Sequence, residues 1–193
     1  MANPIAAWRA DHANFARLLN FVERQLMAFH LGEPIDYALL LATLYYLRDY
    51  PDRVHHPRED VAFARLVERD PGLQLPIARR LQEHRVIAAA GEELLKLLQG
   101  AVDDALIDRS AIEASAATYL VYYRHHLAAE EQELIPRAAE LFTPSDWATV
   151  AAAPIADPLF GQDYEARYRE LRRLIAAEAQ EAEKNRNASM GSR

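Results

Sequence analysis

Two stretches of the sequence repeat the same spacing between a histidine and a glutamate. The stretch HHPREDVAF begins at His55 and reaches Glu59 four residues later, and the stretch HLAAEEQEL begins at His126 and reaches Glu130 at the same spacing. On an α-helix, side chains four residues apart lie on one face, one turn above the other. Each stretch would therefore offer an imidazole nitrogen and a carboxylate oxygen to a single metal ion.

Two further histidines fall within rows of apolar residues that recur with helical spacing. His12 lies between Trp8 and Phe15 in one such row, and His84 precedes Leu95 in another. A histidine in an apolar row faces the interior of the fold when that row forms the buried face of a helix. We therefore expect both rings to point into the core.

The residues around these histidines form an internal repeat. Asp11 and His12 return as Glu83 and His84 after 72 residues, and the histidine–glutamate pair returns after 71 residues. This repeat predicts two related helix pairs, arranged about a pseudo-twofold axis.

The combined donor set indicates a centre with two metal ions. Nitrogen and oxygen donors without sulfur suit a first-row transition metal, and bridging carboxylates hold two such ions close together. Burying an unpaired carboxylate costs on the order of several kcal/mol, so a core with two of them needs a metal or dedicated hydrogen bonds. The alternative is a metal-free helical module that binds a partner protein. The predicted metal ligands are His12, His55, Glu59, His84, His126 and Glu130.

Five neighbouring residues are candidates for supporting roles. His56 and His125 adjoin the predicted ligands but lie about 100° around an α-helix from them, so we expect a surface or supporting position for each. Asp60 and Glu131 would accept hydrogen bonds from ligand imidazoles, as carboxylates commonly do around metals. Tyr123 would donate a hydrogen bond to a small ligand at the metals, although packing alone explains many such tyrosines.

The positions of these residues require long helices. Apolar periodicity and proline or glycine breaks predict helices over about 4–29, 36–68, 76–99 and 110–140, with a kink near His55 because Pro51 and Pro57 fall within the second. Four long helices with short connections predict an all-α fold, an antiparallel four-helix bundle with an additional C-terminal helix. We expect the bundle over residues 1–142, a C-terminal helical extension packed on it over 143–186, and a disordered tail over 187–193.

Composition excludes several functional classes for this chain of 193 residues. It has no cysteine, which rules out disulfides and thiolate sites, and a net charge of -7 without a basic stripe, which argues against nucleic acid as a partner. No apolar stretch approaches the length of a membrane span, and the N-terminal residues do not resemble a signal peptide. We expect a cytoplasmic protein without a membrane partner, and self-association into a homo-oligomer is compatible with the sequence.

The motifs together resemble the hemerythrin-like, or HHE cation-binding, family. The matching stretches are DHANF, HHPRED, EH and HLAAEEQELIP, which lie within about residues 5–140. The resemblance implies two non-haem iron ions, with the four histidines as terminal ligands and Glu59 and Glu130 as bridges. It also implies a protein that binds or senses dioxygen, nitric oxide or peroxide at the diiron centre.

The chain departs from the oxygen-carrying members of that family at one position. Their third helix supplies a second histidine four residues after the first, and here that position is Ala88. By this comparison one iron is more open, which argues against reversible oxygen carriage and leaves room for redox chemistry. A diiron oxidoreductase that consumes peroxide or nitric oxide is therefore an alternative, and the sequence leaves open whether the protein is an enzyme.

Overall fold

The computed structural model describes residues 4–103, 105–153, 166–177 and 180. Most of these residues are helical, and they contain no β-strand. The helices are α1 (Pro4–Leu31), α2 (Tyr37–Tyr50), α3 (His56–Arg69), α4 (Gln74–Val102), α5 (Arg109–Ala129), α6 (Ile135–Leu141), α7 (Pro144–Ala151) and α8 (166–177). None of them combines the length and apolar character that a membrane crossing requires.

Two pairs of these helices form continuous rods with a wide π-helical turn inside each. The turn Pro51–His55 joins α2 to α3, and the turn Glu130–Leu134 joins α5 to α6. In the first turn the N–H of His56 donates to the carbonyl of Pro51, five residues earlier, instead of four. The expected kink near His55 thus takes the form of one extra residue in a turn, and the rod continues through it.

The four rods, which are α1, α2 with α3, α4, and α5 with α6, form an antiparallel bundle. Trp8 contacts Phe63 with ring centres 6.3 Å apart, whereas Phe15 contacts Tyr50 at 5.9 Å. Later residues of α1 thus meet earlier residues of the second rod, as antiparallel packing requires. The α4 rod packs against both α2 and α5, and α1 packs against α5, which closes the bundle.

Two clusters of buried apolar side chains fill the bundle and leave a polar layer between them. The larger cluster includes Phe15, Val54, Ile87 and Leu127. The smaller cluster includes Trp8, Ala62, Ile77, Leu134 and Ile135. On every rod, the predicted metal ligands fall at the boundary between these clusters, so apolar packing from both ends fixes the rods around the polar layer.

The helices after the bundle pack on its outside. Thr143 caps α7 through a reciprocal capping box with Asp146, which also binds Arg69 of α3 at 2.9 Å. Tyr168 and Leu171 of α8 are buried against the larger cluster. The tail predicted over 187–193 lies outside the described residues, as do parts of the extension predicted over 143–186.

Candidate metal centre

The polar layer of the bundle brings one histidine from each rod into two close pairs. The Nε2 atoms of His12 and His55 lie 3.1 Å apart, and those of His84 and His126 also lie 3.1 Å apart. Three of the rings are buried and His84 is nearly so. The interior of the bundle thus contains two pairs of imidazoles, and the two Nε2 atoms of each pair lie close together, as the repeat predicts.

Glu59 lies between the two histidine pairs. Its Oε1 is 2.8 Å from Nε2 of His55 and 3.4 Å from Nε2 of His12. Its Oε2 is 3.5 Å from Nε2 of His84, in the other pair. One carboxylate therefore presents one oxygen to each pair.

Glu130 repeats this arrangement from the opposite rod. Its Oε2 lies 3.4 Å from Nε2 of His12, and its Oε1 lies 3.3 Å from Nε2 of His126. All six residues that the sequence singled out as ligands meet in one layer of the bundle.

Three of the four carboxylate oxygens of Glu59 and Glu130 lack a hydrogen-bond partner among the described residues. Glu59 is 1% exposed and Glu130 is 0% exposed, yet Oε2 of Glu59 and both oxygens of Glu130 accept no hydrogen bond from the described residues. A native core rarely leaves buried polar atoms unpaired, because their desolvation is not offset. Cations bound between these oxygens and the imidazole nitrogens would satisfy them, so this donor set fits a pair of transition-metal ions.

The other ring nitrogen of each histidine faces a carboxylate from a different rod. In a neutral imidazole, an Nδ1–H that points to such a carboxylate leaves Nε2 with a free lone pair that faces the interior, which is the tautomer that binds a metal. The pairs are Glu131 with His12 at 3.1 Å, Asp11 with His55 at 3.1 Å, Glu83 with His126 at 3.2 Å, and Asp60 with His84 at 3.8 Å.

Two of these outer carboxylates were missed in the sequence. Asp60 and Glu131 follow the predicted bridges directly, but Asp11 and Glu83 each precede one histidine in the sequence and hydrogen-bond to another on a different rod. Their place in the 72-residue repeat was the available signal. Arg80 lies 3.1 Å from Glu83 and holds that carboxylate on the histidine side.

Burial and neighbouring charges shift the pKa values of the interior groups in opposite directions. Burial opposes charge on His55, but Glu59 and Asp11 raise its pKa to about 9. Burial lowers the pKa of His126 to about 4. Burial and the nearby charge of Glu59 raise the pKa of Glu130 well above its ordinary value. For Glu59, burial acts upward, but His55, His12 and His84 hold its pKa well below its ordinary value.

The structure separates the two histidines that were expected in surface or supporting positions. His125 is exposed. His56 is 7% exposed, and one of its ring nitrogens belongs to a group of potential ligand atoms with Glu59, His84 and His126, all within 4.8 Å of one another. The expectation of about 100° between neighbours assumed a regular α-helix, whereas the π-turn that ends at His55 changes the angle at this point. The spacing of three residues between His56 and Glu59 was a signal for a shared face.

Aromatic side chains surround the His12 and His55 pair. Phe15 contacts the His55 ring with centres 5.0 Å apart, and Tyr123 contacts Phe15 at 6.1 Å. Tyr123 is 1% exposed, and its hydroxyl has no hydrogen-bond partner among the described residues. Trp8 donates from Nε1 to Oε1 of Glu59 at 2.6 Å, a contact that sequence periodicity did not reveal.

Comparison with known proteins identifies a matching family. A model of the hemerythrin HHE cation-binding domain matches residues 3–138, which include every residue of the polar layer and all but the last three residues of the four rods. Searches of curated proteins and of solved structures found no significant match.

Proposed function

This chain belongs to the hemerythrin HHE cation-binding family, and from that membership we propose that its polar layer holds two iron ions and binds a small ligand there. The ligand class is dioxygen, nitric oxide or peroxide, and the role is to bind or sense it. The proposed metal ligands include His12, His55, His84 and His126, with Glu59 and Glu130 as the bridges.

The position of the two glutamates is the observation that carries this proposal. Each directs one oxygen toward the His12 and His55 pair and the other toward the His84 and His126 pair. A single mononuclear site would use one histidine pair and leave the other imidazoles and the second carboxylate buried without a cation. Two ions use every donor in the layer, and the absence of thiolates favours a metal that accepts nitrogen and oxygen.

The protein would control this centre through burial and fixed orientation. Two adjacent irons supply reversible redox change and open coordination positions for small ligands. The outer carboxylates hold the histidine rings in their binding tautomer. Phe15 and Tyr123 would restrict water on the side of His12 and His55, and the Tyr123 hydroxyl, which has no hydrogen-bond partner among the residues that the structure describes, would provide a donor.

Metal analysis tests the proposal directly. Metal-free protein reconstituted with Fe(II) under anaerobic conditions should hold close to two irons per chain. Its optical spectrum should change on exposure to oxygen, nitric oxide or peroxide, because binding of these ligands to iron changes the electronic transitions of the metal. One metal per chain, or a preparation that retains only zinc, would contradict the diiron centre.

A second function, a diiron oxidoreductase, is favoured by Ala88, which removes one donor that oxygen-carrying relatives have on the third helix. Multiple turnovers of peroxide or nitric oxide with an electron donor would identify the enzyme. A single stoichiometric spectral change identifies the binding protein. A metal-free interaction module would retain no iron in either assay.

A further inference from the structure

The ring of His56 lies flat against a proposed metal ligand. Its centre is 3.9 Å from the centre of His84, with 16° between the two planes, and 6.1 Å from His126. Asp52, one helical turn earlier, lies 3.1 Å from Nδ1 of His56. The ring is therefore oriented by contacts on both its face and its edge.

This environment matches that of the four histidines already assigned to the centre. Each of those rings has a carboxylate at Nδ1 and directs Nε2 into the polar layer, and Asp52 supplies the same partner to His56. One ring nitrogen of His56 belongs to a group of potential ligand atoms that also includes atoms of Glu59, His84 and His126, all within 4.8 Å of one another. A buried histidine that served only as packing would not need to share a layer of donors with a carboxylate and two imidazoles.

The third rod of the bundle, α4, supplies only one histidine, so a further ligand can come from another rod. Ala88, one turn after His84 on α4, has no donor atom. The π-turn before α3 instead directs two consecutive histidines inward. His55 forms a pair with His12, whereas His56 lies beside the pair of His84 and His126. The corresponding residue 71 positions later is Leu127, which lies in the larger apolar cluster.

We propose that His56 is a third histidine ligand of the metal held by His84 and His126. This inference rests on the proposed metal centre and adds an asymmetry to it: one ion has three imidazoles and the other has two. Exogenous ligands would then bind the ion beside His12 and His55, which has fewer protein donors.

The test is a titration of metal-free protein with Co(II), in competition with a chelator. Wild-type protein should bind two Co(II) ions. His56→Phe, which keeps a flat ring against His84, should bind one ion as wild type does and the other more weakly, by more than the roughly 100-fold that the loss of an outer partner costs. His84→Ala should weaken that same ion, and His125→Phe, which changes an exposed neighbour, should leave both ions unchanged.

Several outcomes separate this inference from the proposed function. Wild-type protein that binds fewer than two ions contradicts the metal centre itself. Two ions in wild type with unchanged binding in His56→Phe overturn the role of His56, and equal weakening of both ions overturns its assignment to one site.

A measurement on wild-type protein keeps the inference testable if His56→Phe does not fold. In the Co(II) protein, each coordinated imidazole should give one strongly shifted, exchangeable N–H resonance, because its Nδ1–H faces a carboxylate that slows its exchange. We expect five such resonances, from His12, His55, His56, His84 and His126. Four resonances would overturn the proposal.

Discussion

Asp11 supports a histidine on another rod and not its own neighbour in the sequence. Its Oδ2 accepts a hydrogen bond from Nδ1 of His55 at 3.1 Å, and its Oδ1 accepts one from the Tyr50 hydroxyl, also at 3.1 Å. Because such a carboxylate orients the ring and increases its basicity, we expect Asp11→Asn to weaken the metal beside His12 and His55 by about 10- to 100-fold.

The matched change on the other side of the pseudo-twofold axis is the control. Glu83→Gln removes the corresponding carboxylate from His126 and should weaken the other metal. Chelator competition on each variant resolves the two affinities. If Asp11→Asn weakened both metals equally, the separation of the layer into two histidine pairs would be incorrect.

The bridging role predicts that loss of one glutamate affects both metals. Glu59→Ala and Glu130→Ala should each lower the content of both irons, because each carboxylate faces both histidine pairs. Glu133→Ala, which changes an exposed residue of the same π-turn as Glu130, should retain both irons. Elemental analysis of the purified variants measures this, and selective loss of one iron would count against bridging.

Metal binding should release protons at neutral pH. In the metal-free protein Glu59 and Asp11 raise the pKa of His55 to about 9, and burial with the nearby charge of Glu59 raises the pKa of Glu130 well above its ordinary value. A metal must displace the proton on His55 and any proton on Glu130, so its affinity should rise as the pH rises toward 9. Calorimetry in buffers with different ionisation enthalpies counts the released protons, and Glu130→Gln should release fewer. Equal proton release by this variant and wild type would show that Glu130 is already ionised.

Removal of iron should lower the melting temperature without unfolding the bundle. A metal that binds only the folded chain stabilises it by roughly 2.7 kcal/mol at a hundredfold excess over Kd, which corresponds to a shift on the order of 5–10 °C. The two apolar clusters remain and maintain the helices. His55→Ala should reduce the iron-dependent shift, and His125→Ala should preserve it. A melt that does not respond to iron in wild-type protein would contradict coupling between metal and fold.

Tyr123→Phe should have opposite effects on ligand affinity and stability. The hydroxyl has no hydrogen-bond partner within the described part of the chain, so its removal should leave the metal-free melting temperature unchanged or higher. If the hydroxyl donates to a small ligand at the metals, the variant should lose about 1 kcal/mol of ligand affinity, or about fivefold. Nitric oxide titration of the iron protein measures this loss, and Tyr122→Phe at an exposed position is the control. Unchanged affinity would reduce Tyr123 to a packing residue.

Helical periodicity made the rods and the proposed ligands predictable. His12 and His84 were placed inward because they fall in apolar rows, and the spacing of His55 to Glu59 required only that residues four apart share a face. Each of these inferences depends only on the geometry of a single helix. The match of the family model to residues 3–138 agrees with the family that the motifs indicated.

Contacts between side chains of different rods could not be predicted from helical periodicity. Asp11 and Glu83 contact histidines of neighbouring rods, and their partners follow only from the crossing of the helices. The orientation of His56 depends on a single π-turn, which the prolines Pro51 and Pro57 suggested only as a kink. A local irregularity of one residue therefore changed the expected position of a side chain in the centre of the molecule.

The unequal placement of the two π-turns also bears on protein design. In the first half of the chain the wide turn ends at His55, whereas in the second half it begins at Glu130. A symmetrical protein made from two copies of the first half would carry six inward histidines, counted from His12, His55 and His56, and one made from two copies of the second half would carry four. A designer could therefore adjust the number of inward imidazoles by moving a one-residue helical insertion together with a histidine at the position that it turns inward, while Glu59 and Glu130 keep their positions.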